Sequence, residues 1–232
     1  MKTIGIIGAM EEETAKIKSA MDVVNIKNIV GLDFYLGLIN GAKVVLVRSG
    51  IGKVNAAVCA QTLINLYGVD LIINTGAAGA LAEELEIGDV VISSDLVQHD
   101  FDAAAFGDEP GMIPRLNIKY FPADGGLISL AEERGKAAPG GAKIYIGRIA
   151  SGDQFISDPA LKARIWKTFR SLCVDMEGAA IAQTCFLNKL PFLAIRCVSD
   201  KADGAANESF EKFLLQSAEN SANIVLKMID KL

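Results

Sequence analysis

The chain has 232 residues, 51% apolar and 22% charged, which supplies a sizeable core and excludes a disordered polymer. Its 28 acidic and 23 basic residues give a net charge of −5, with no long basic run, which argues against a nucleic-acid or anionic-membrane binder. No apolar run approaches the roughly 18 residues of a membrane span, and Glu11, Glu12 and Glu13 cut off the apolar opening before a signal-peptide core forms.

Strand and helix signals alternate along the chain. Thr3 to Gly8 is a short β-branched run ending in glycine, and a helix-like stretch follows from Glu11 to about Met21. Asp33 to Leu38 and Lys43 to Arg48 flank Asn40-Gly41, a strong hairpin signal. Gly52 to Tyr67 reads as a helix with Val54, Ala57, Val58 and Gln61 on one face. Val69 to Asn74 is a near-continuous apolar strand, as at the centre of a covered sheet, and Ile87 to Ser93 is another strand. From His99 to Pro122, glycines and prolines mark an irregular segment of the length that usually serves function or an interface. A helix over Leu127 to Lys136 and a strand over Lys143 to Ala150 come next. Pro159 to Phe169 is helical, with Asp158 as N-cap and Pro159 at the first helical position. Leu172 to Asp175 is a short strand, Glu177 to Leu187 a small-residue helix, and Phe192 to Val198 a strand. The last helix runs from Ser209 to the end, with Phe210, Phe213, Leu214, Ala218, Ser221, Val225, Met228, Ile229 and Leu232 at helical spacing. The alternation predicts an α/β fold, a single domain over residues 1–232 with a mixed central sheet flanked by helices.

Ligands in such folds sit at the carboxyl ends of strands. The first strand ends in Gly8-Ala9-Met10-Glu11-Glu12-Glu13, where a carboxylate either stabilises the helix dipole or points into a cleft as a general base. Ser49-Gly50-Ile51-Gly52-Lys53 is a faint phosphate-loop pattern, better explained as a tight turn. Asn74 to Ala80 is rich in glycine and alanine, which leave room for a ligand near the backbone or for a crowded turn. Glu177 is either a helix-dipole partner or a clamp on two vicinal hydroxyls, since a carboxylate accepts two hydrogen bonds at once. Asp200 follows an apolar strand, where desolvation raises a carboxyl pKa toward that of a general acid. Its bland reading is a turn or cap. The four cysteines lack CxxC spacing and read as reduced residues of a cytoplasmic protein. One histidine, His99, excludes His-rich metal sites and leaves one candidate for a Ser-His-Asp triad, so in an enzyme carboxylates are expected to carry the acid–base work.

The stretch Ile4-Gly5-Ile6-Ile7-Gly8-Ala9-Met10-Glu11-Glu12-Glu13 resembles the opening of bacterial 5′-methylthioadenosine/S-adenosylhomocysteine nucleosidases. Matching segments follow in family order: Ser49 to Ala57, Asn74-Thr75-Gly76, His99-Asp100 with Phe106-Gly107, Ser151-Gly152-Asp153 with Phe155-Ile156, Asp175-Met176-Glu177, and Arg196 with Ser199-Asp200. The resemblance spans almost the whole chain and implies a nucleoside phosphorylase-like fold. It implies hydrolysis of the N-glycosidic bond, with neither metal nor cofactor. Glu13 would activate water and Asp200 would protonate adenine N7. Glu177 would clamp the ribose diol, with Met176 against the sugar. Phe155 and Ile156 would read the adenine, near Ala78 and Gly79. Arg196 would support the water and Ser199 would support Asp200. Ile51 and Phe210 would wall the 5′-thio pocket, which Phe106, Ile113 and Pro114 of a partner subunit would complete in a homodimer. Methionine salvage, clearance of methylation by-products and menaquinone synthesis are routes such an activity serves.

Two departures from the family pattern stand out. Ala77, Ala78 and Ala80 are smaller or less polar than the family's residues, and the hydroxyl missing at Ala77 removes a polar contact near the sugar or water. Asp175 stands where the family often has Glu, a position expected to matter less. A purine nucleoside phosphorylase would need a phosphate site, normally with an arginine after the first strand, where this chain has three acids instead. A nucleosidase for another 5′-substituted adenosine, such as aminodeoxyfutalosine, remains open. A non-catalytic nucleoside-binding protein would lack Glu13 or Asp200, and both are present.

Overall fold

The computed structural model describes residues 2–137 and 142–232, so that Met1 and residues 138–141 of the expected 1–232 domain lie outside the described residues. Among the described residues, ten strands form one mixed sheet. β1 (Thr3–Gly8) pairs in parallel with β4 (Ala42–Arg48) on one side and β5 (Leu71–Ala80) on the other. β3 (Leu32–Ile39) and β2 (Asp22–Ile29) extend the β4 side as antiparallel hairpins. On the other side the sheet closes on itself. β5 pairs with β9 (Cys173–Asp175), β9 with β8 (Ile144–Ser151), and β8 with β6 (Val90–Gln98). β6 pairs with β10 (Phe192–Asp200), and β10 returns to β5. The result is a five-strand ring with an open four-strand leaf attached through β1. A short strand, β7 (Phe121–Pro122), pairs with β6.

Six α-helices among the described residues cover the sheet. α2 (Lys53–Tyr67) and α5 (Gly178–Leu187) share one core with Phe34, Ile72 and Phe121. α1 (Glu11–Ser19), α3 (Gly125–Lys136) and α6 (Ala206–Ile229) enclose the opposite core, built on Ile4, Ile6, Leu46 and Ile195. α4 (Pro159–Phe169) covers a third cluster with Val97 and Ile156. Its N-cap is Asp158, whose carboxylate accepts from Ala160 N at 2.8 Å. Asn40 and Gly41 have φ of 48° and 84°, the two positive values that a tight hairpin turn requires.

Four expectations need correction. β2 is a full strand where none was expected. Its sequence DVVNIKNI mixes Asn and Lys with valines and isoleucine, because as an edge strand it is solvated almost throughout. β5 runs through the Gly/Ala stretch to Ala80 instead of ending at Asn74, because its partner β10 stays paired with it as far as Gly79, past one register shift at Ser199. β10 likewise continues through Ser199 and Asp200. On α2 the buried face is Ala56, Cys59, Ala60 and Leu63, while Val54 is 74% and Val58 44% exposed.

Candidate active site

The first carboxylate is set by the turn out of β1. A Cβ on Gly8 would lie 2.8 Å from Thr14 Cγ2, so only glycine lets α1 fold back against the strand end. Glu13, in the first turn of α1, is buried and reaches back over that turn. Its Oε2 accepts from Ala9 N at 2.6 Å and Met10 N at 3.1 Å, and its Oε1 accepts from Ala77 N at 2.9 Å on β5. Burial raises its pKa, while Arg196 and the three amides pull it back down. Glu13 is thus both a helix-start acceptor and a desolvated carboxylate. A Cβ on Gly76 would sit 2.3 Å from Glu13 Oε1, so the glycine serves close approach, not turning.

A β-bulge sets the second carboxylate. β10 pairs Val198 with Ala78 and Asp200 with Gly79, which leaves Ser199 as the extra residue and re-aims Asp200. Asp200 Oδ1 accepts from Ala202 N at 2.8 Å, and its Oδ2 accepts from Ser199 Oγ at 2.9 Å. Burial raises its pKa, against the lowering by Ala202 N–H and the Ser199 hydroxyl. A Cβ on Gly79 would lie 2.8 Å from Asp200 Oδ1. The anchor points of the two carboxylates, Gly76 and Gly79, are three strand residues apart, roughly 10 Å along β5.

Glu177 follows β9, and its Oε1 accepts from Gly52 N at 2.8 Å across the site. Gly52 has φ 98°, and its loop amide, the donor a phosphate loop would offer, is taken by a carboxylate. Burial, then the neighbouring Asp175, pushes Glu177 up to about 8. Beneath it Asp175 accepts from Arg196 Nε at 2.8 Å and from the Ser151 hydroxyl, and forms an ion pair with Arg196 Nη2 at 2.6 Å. Arg196 also donates to Asn74 Oδ1, and Asn74 donates to Ile7 O at 2.9 Å.

These groups surround one cavity of about 300 Å3. Glu13, Ile51, Ala78, Gly79, Phe155, Ile156, Met176, Glu177, Ser199, Asp200 and Phe210 all line it, as anticipated. Phe155 and Phe210 meet edge to face at 5.7 Å. Arg196 does not line it. The guanidinium is 2% exposed and lies underneath, tied to Asp175 and Asn74, because a buried cation needs paired anions more than it needs a ligand. Asp175, expected to matter less, is that anion and also lines the cavity. Ala77 contributes its backbone N–H to Glu13, a contact that needs no hydroxyl. Ala9, Met10, Gln154 and Val174 were not singled out, although Gln154 and Val174 flank Phe155 and Asp175, and Ala9 and Met10 lie in the turn that leads to Glu13. Phe106 (90% exposed), Ile113 and Pro114 do not line their own chain's cavity. Among the described residues no Lys, Arg or His lines it, so it is apolar on its walls and acidic at its polar points.

This ring-and-leaf α/β chain falls in the phosphorylase superfamily, whose family model matches residues 3–230. A nucleosidase from Staphylococcus carnosus, named 5′-methylthioadenosine/S-adenosylhomocysteine nucleosidase, is 45% identical over 99% of this chain and 100% of its own. The crystal structure of the Neisseria meningitidis enzyme of that name, in complex with methylthio-immucillin-A, superposes with a TM-score of 0.96. It is 41% identical, with 100% of both chains covered. Futalosine hydrolase of Helicobacter pylori gives 0.95 at 34% identity, covering 100% of this chain and 98% of the other. The chain belongs to the 5′-methylthioadenosine/S-adenosylhomocysteine nucleosidase family.

Proposed function

We propose that this protein hydrolyses the N-glycosidic bond of 5′-methylthioadenosine and S-adenosylhomocysteine, releasing adenine and the 5-thioribose product. The observation that carries this is one cavity holding two buried carboxylates, Glu13 and Asp200, at separate strand ends, with a third, Glu177, between them in the chain. Adenine lies against Phe155 and Ile156. Asp200 gives its proton to N7 as the C1′–N9 bond breaks, and the bonding electron pair leaves with the base. The sugar passes through an oxocarbenium-like state, which the carboxylate-rich, cation-free lining stabilises. Glu177 accepts the two ribose hydroxyls, and Met176 packs on the sugar. Glu13 takes a proton from the water that attacks C1′ from the other face, the division of labour of an inverting glycosidase. Arg196 is a positioning residue that holds Asp175 and, by its charge, favours ionised Glu13. Ser199 orients Asp200.

Phosphate would meet acids in this cavity and no cation. Incubation with 5′-methylthioadenosine, with and without phosphate, tests the reading. Equal adenine and free methylthioribose in both buffers is the expected result, and a phosphate-dependent sugar 1-phosphate would overturn it. The likeness to futalosine hydrolase favours a second reading, cleavage of another 5′-substituted adenosine such as aminodeoxyfutalosine. The same assay with that substrate decides it.

The domain is read as one nucleosidase unit over 1–232, working in the cytoplasm as a homodimer. Ile51, Val54 and Val58 form an exposed apolar strip near the cavity mouth, and Phe106 is an exposed apolar anchor elsewhere on the surface. A partner's Phe106–Pro114 segment would cover the strip and complete the 5′ pocket. Sedimentation at micromolar concentration should give a dimer, and a monomer would remove this assembly. No helix among the described residues is long and apolar enough to cross a membrane.

Two variants probe the site's internal tensions. Gly76→Ala drives a methyl into Glu13 Oε1 and should lower kcat about 100-fold, the scale of a misplacement near 1 Å. Near-normal turnover would mean that the carboxylate's position is not critical. Glu177 keeps its proton to about 8 in the fold but only to the ordinary carboxylate range when unfolded. Its contribution to stability is therefore present at low pH and lost as pH rises through about 8. Glu177→Gln should match the wild-type melting temperature near pH 5 and exceed it at pH 8.5, by about 2–4 °C per kcal/mol relieved. A difference that does not grow with pH, read by calorimetry, would refute this.

A further inference from the structure

A second groove, of about 530 Å3, opens beside the catalytic cavity on the leaf side of the sheet. Ala9, Met10 and Ile51 line both, so the two spaces meet at the end walled by Ile51, where the 5′ substituent of the nucleoside would emerge. The groove differs from the cavity in its charges. It carries Lys18 from α1 and Arg48 from the end of β4, together with the acids Glu11, Glu12 and Asp33.

The ion pairs among these groups are loose. Arg48 lies 3.6 Å and Lys18 3.9 Å from Glu11, and the Arg48 and Glu11 side chains are 58% and 56% exposed. Pairs of this kind contribute little, so exchanging a partner costs little. Lys18 is steered by Tyr35, donating to its hydroxyl at 3.0 Å with the ammonium 4.2 Å from the ring centre. Two cations, Lys18 and Arg48, and three carboxylates, Glu11, Glu12 and Asp33, therefore line an open groove whose inner end abuts the site.

The two proposed substrates differ in just the way this groove can read. Methylthio ends in an uncharged methyl. Homocysteine continues from sulfur through two methylenes to a carbon bearing an ammonium and a carboxylate, a few bonds of about 1.5 Å each. Its carboxylate finds no cation in the catalytic cavity. We propose that the groove is the subsite for the zwitterionic amino-acid end of S-adenosylhomocysteine, with Arg48 and Lys18 taking the carboxylate and Glu11 the ammonium. This rests on the nucleosidase reading above. A planar guanidinium suits a carboxylate bidentately, and Glu11 turns from Arg48 to the incoming ammonium. No bond is made or broken in the groove. It sets which 5′ substituent binds well and plays no part in the chemistry.

The test compares S-adenosylhomocysteine, 5′-methylthioadenosine and the uncharged 5′-butylthioadenosine on wild type and Arg48→Gln. Loss of one charge-assisted contact should raise KM for S-adenosylhomocysteine about tenfold at unchanged kcat. The two uncharged substrates should stay within about twofold, as such substrates make no charge-assisted contact. Equal losses on all three, or no loss on S-adenosylhomocysteine, would overturn the proposal. If the variant fails to fold, wild type decides. Raising salt from about 0.05 to about 0.5 M should raise KM for S-adenosylhomocysteine alone, and parallel behaviour of all three would overturn the proposal. If wild type releases adenine from none of them, the nucleosidase reading fails by itself. Calorimetric binding of S-adenosylhomocysteine to wild type and Arg48→Gln then judges the groove separately, with unchanged affinity counting against it.

Discussion

Asp200→Asn should bind 5′-methylthioadenosine as wild type does and release adenine about 10²–10⁴-fold more slowly. The side-chain volume is kept. The new carbonyl oxygen can still accept from Ala202 N, and the new amide can donate to Ser199 Oγ, so both contacts of the native carboxylate survive in form. What disappears is a transferable proton. An amide can hydrogen-bond N7 but cannot protonate it, and unprotonated adenine is a poor leaving group. Asp200 is suited to the task because burial raises its pKa and its carboxyl retains a proton further toward neutrality. Ionising it ends the reaction, so kcat/KM should fall as pH rises through its pKa, and the residual rate of the variant should lack that fall. Turnover within tenfold of wild type, in a variant whose binding is confirmed by calorimetry, would take the proton donor's role from Asp200.

Glu13→Gln should lose turnover by a similar factor, about 10²–10⁴-fold, and should also lose stability. Three backbone amides converge on this carboxylate, from Ala9 and Met10 on one oxygen and from Ala77 on the other. Glutamine offers one acceptor where two are needed, and its NH2 must face an amide donor. Leaving a buried donor unpaired costs about 1–3 kcal/mol. The catalytic sign is opposite to that of Asp200. Glu13 must be ionised to take the water's proton, so kcat/KM should rise as pH climbs through its pKa, which burial has raised. The variant should lose that rise and keep the alkaline fall. A variant with normal turnover but a lowered melting temperature would leave Glu13 a purely structural acceptor.

The parts of this fold that were legible in the sequence are those whose cause is local. Asp158-Pro159 starts α4 where cap chemistry places it, and Asn40-Gly41 turns the hairpin between β3 and β4. The site was legible at Glu13, Glu177 and Asp200 because each stands at or near a strand end, where chain order alone locates a cleft. What escaped is decided by distant partners. The Gly/Ala run after Asn74 was read as room for a ligand or as a crowded turn, yet its small residues are there because Glu13 and Asp200 press against Gly76 and Gly79. Arg196 was expected at the water, but it pairs with Asp175 across the closed ring, a contact that no spacing rule reveals. Val54 and Val58 follow helical spacing as well as any core pair does, and nothing local indicates that their face of α2 points outward.

The ring carries Asp200, Asp175 and the amide of Ala77, and it has no free edge along which to open. Glu13 and the amides of Ala9 and Met10 belong to the leaf. Glu13 is therefore the stitch across the seam, with one oxygen tied to each side. Amide hydrogen exchange would register this directly. In the wild type, the protons of Ala9, Met10 and Ala77 should exchange as one cooperative group, since all three are shielded by the same carboxylate. In Glu13→Gln they should exchange faster than their neighbours on β1 and β5. Natural variation at this position then meets two constraints at once: a substitution that relaxes the chemistry also loosens the joint between the halves of the cleft.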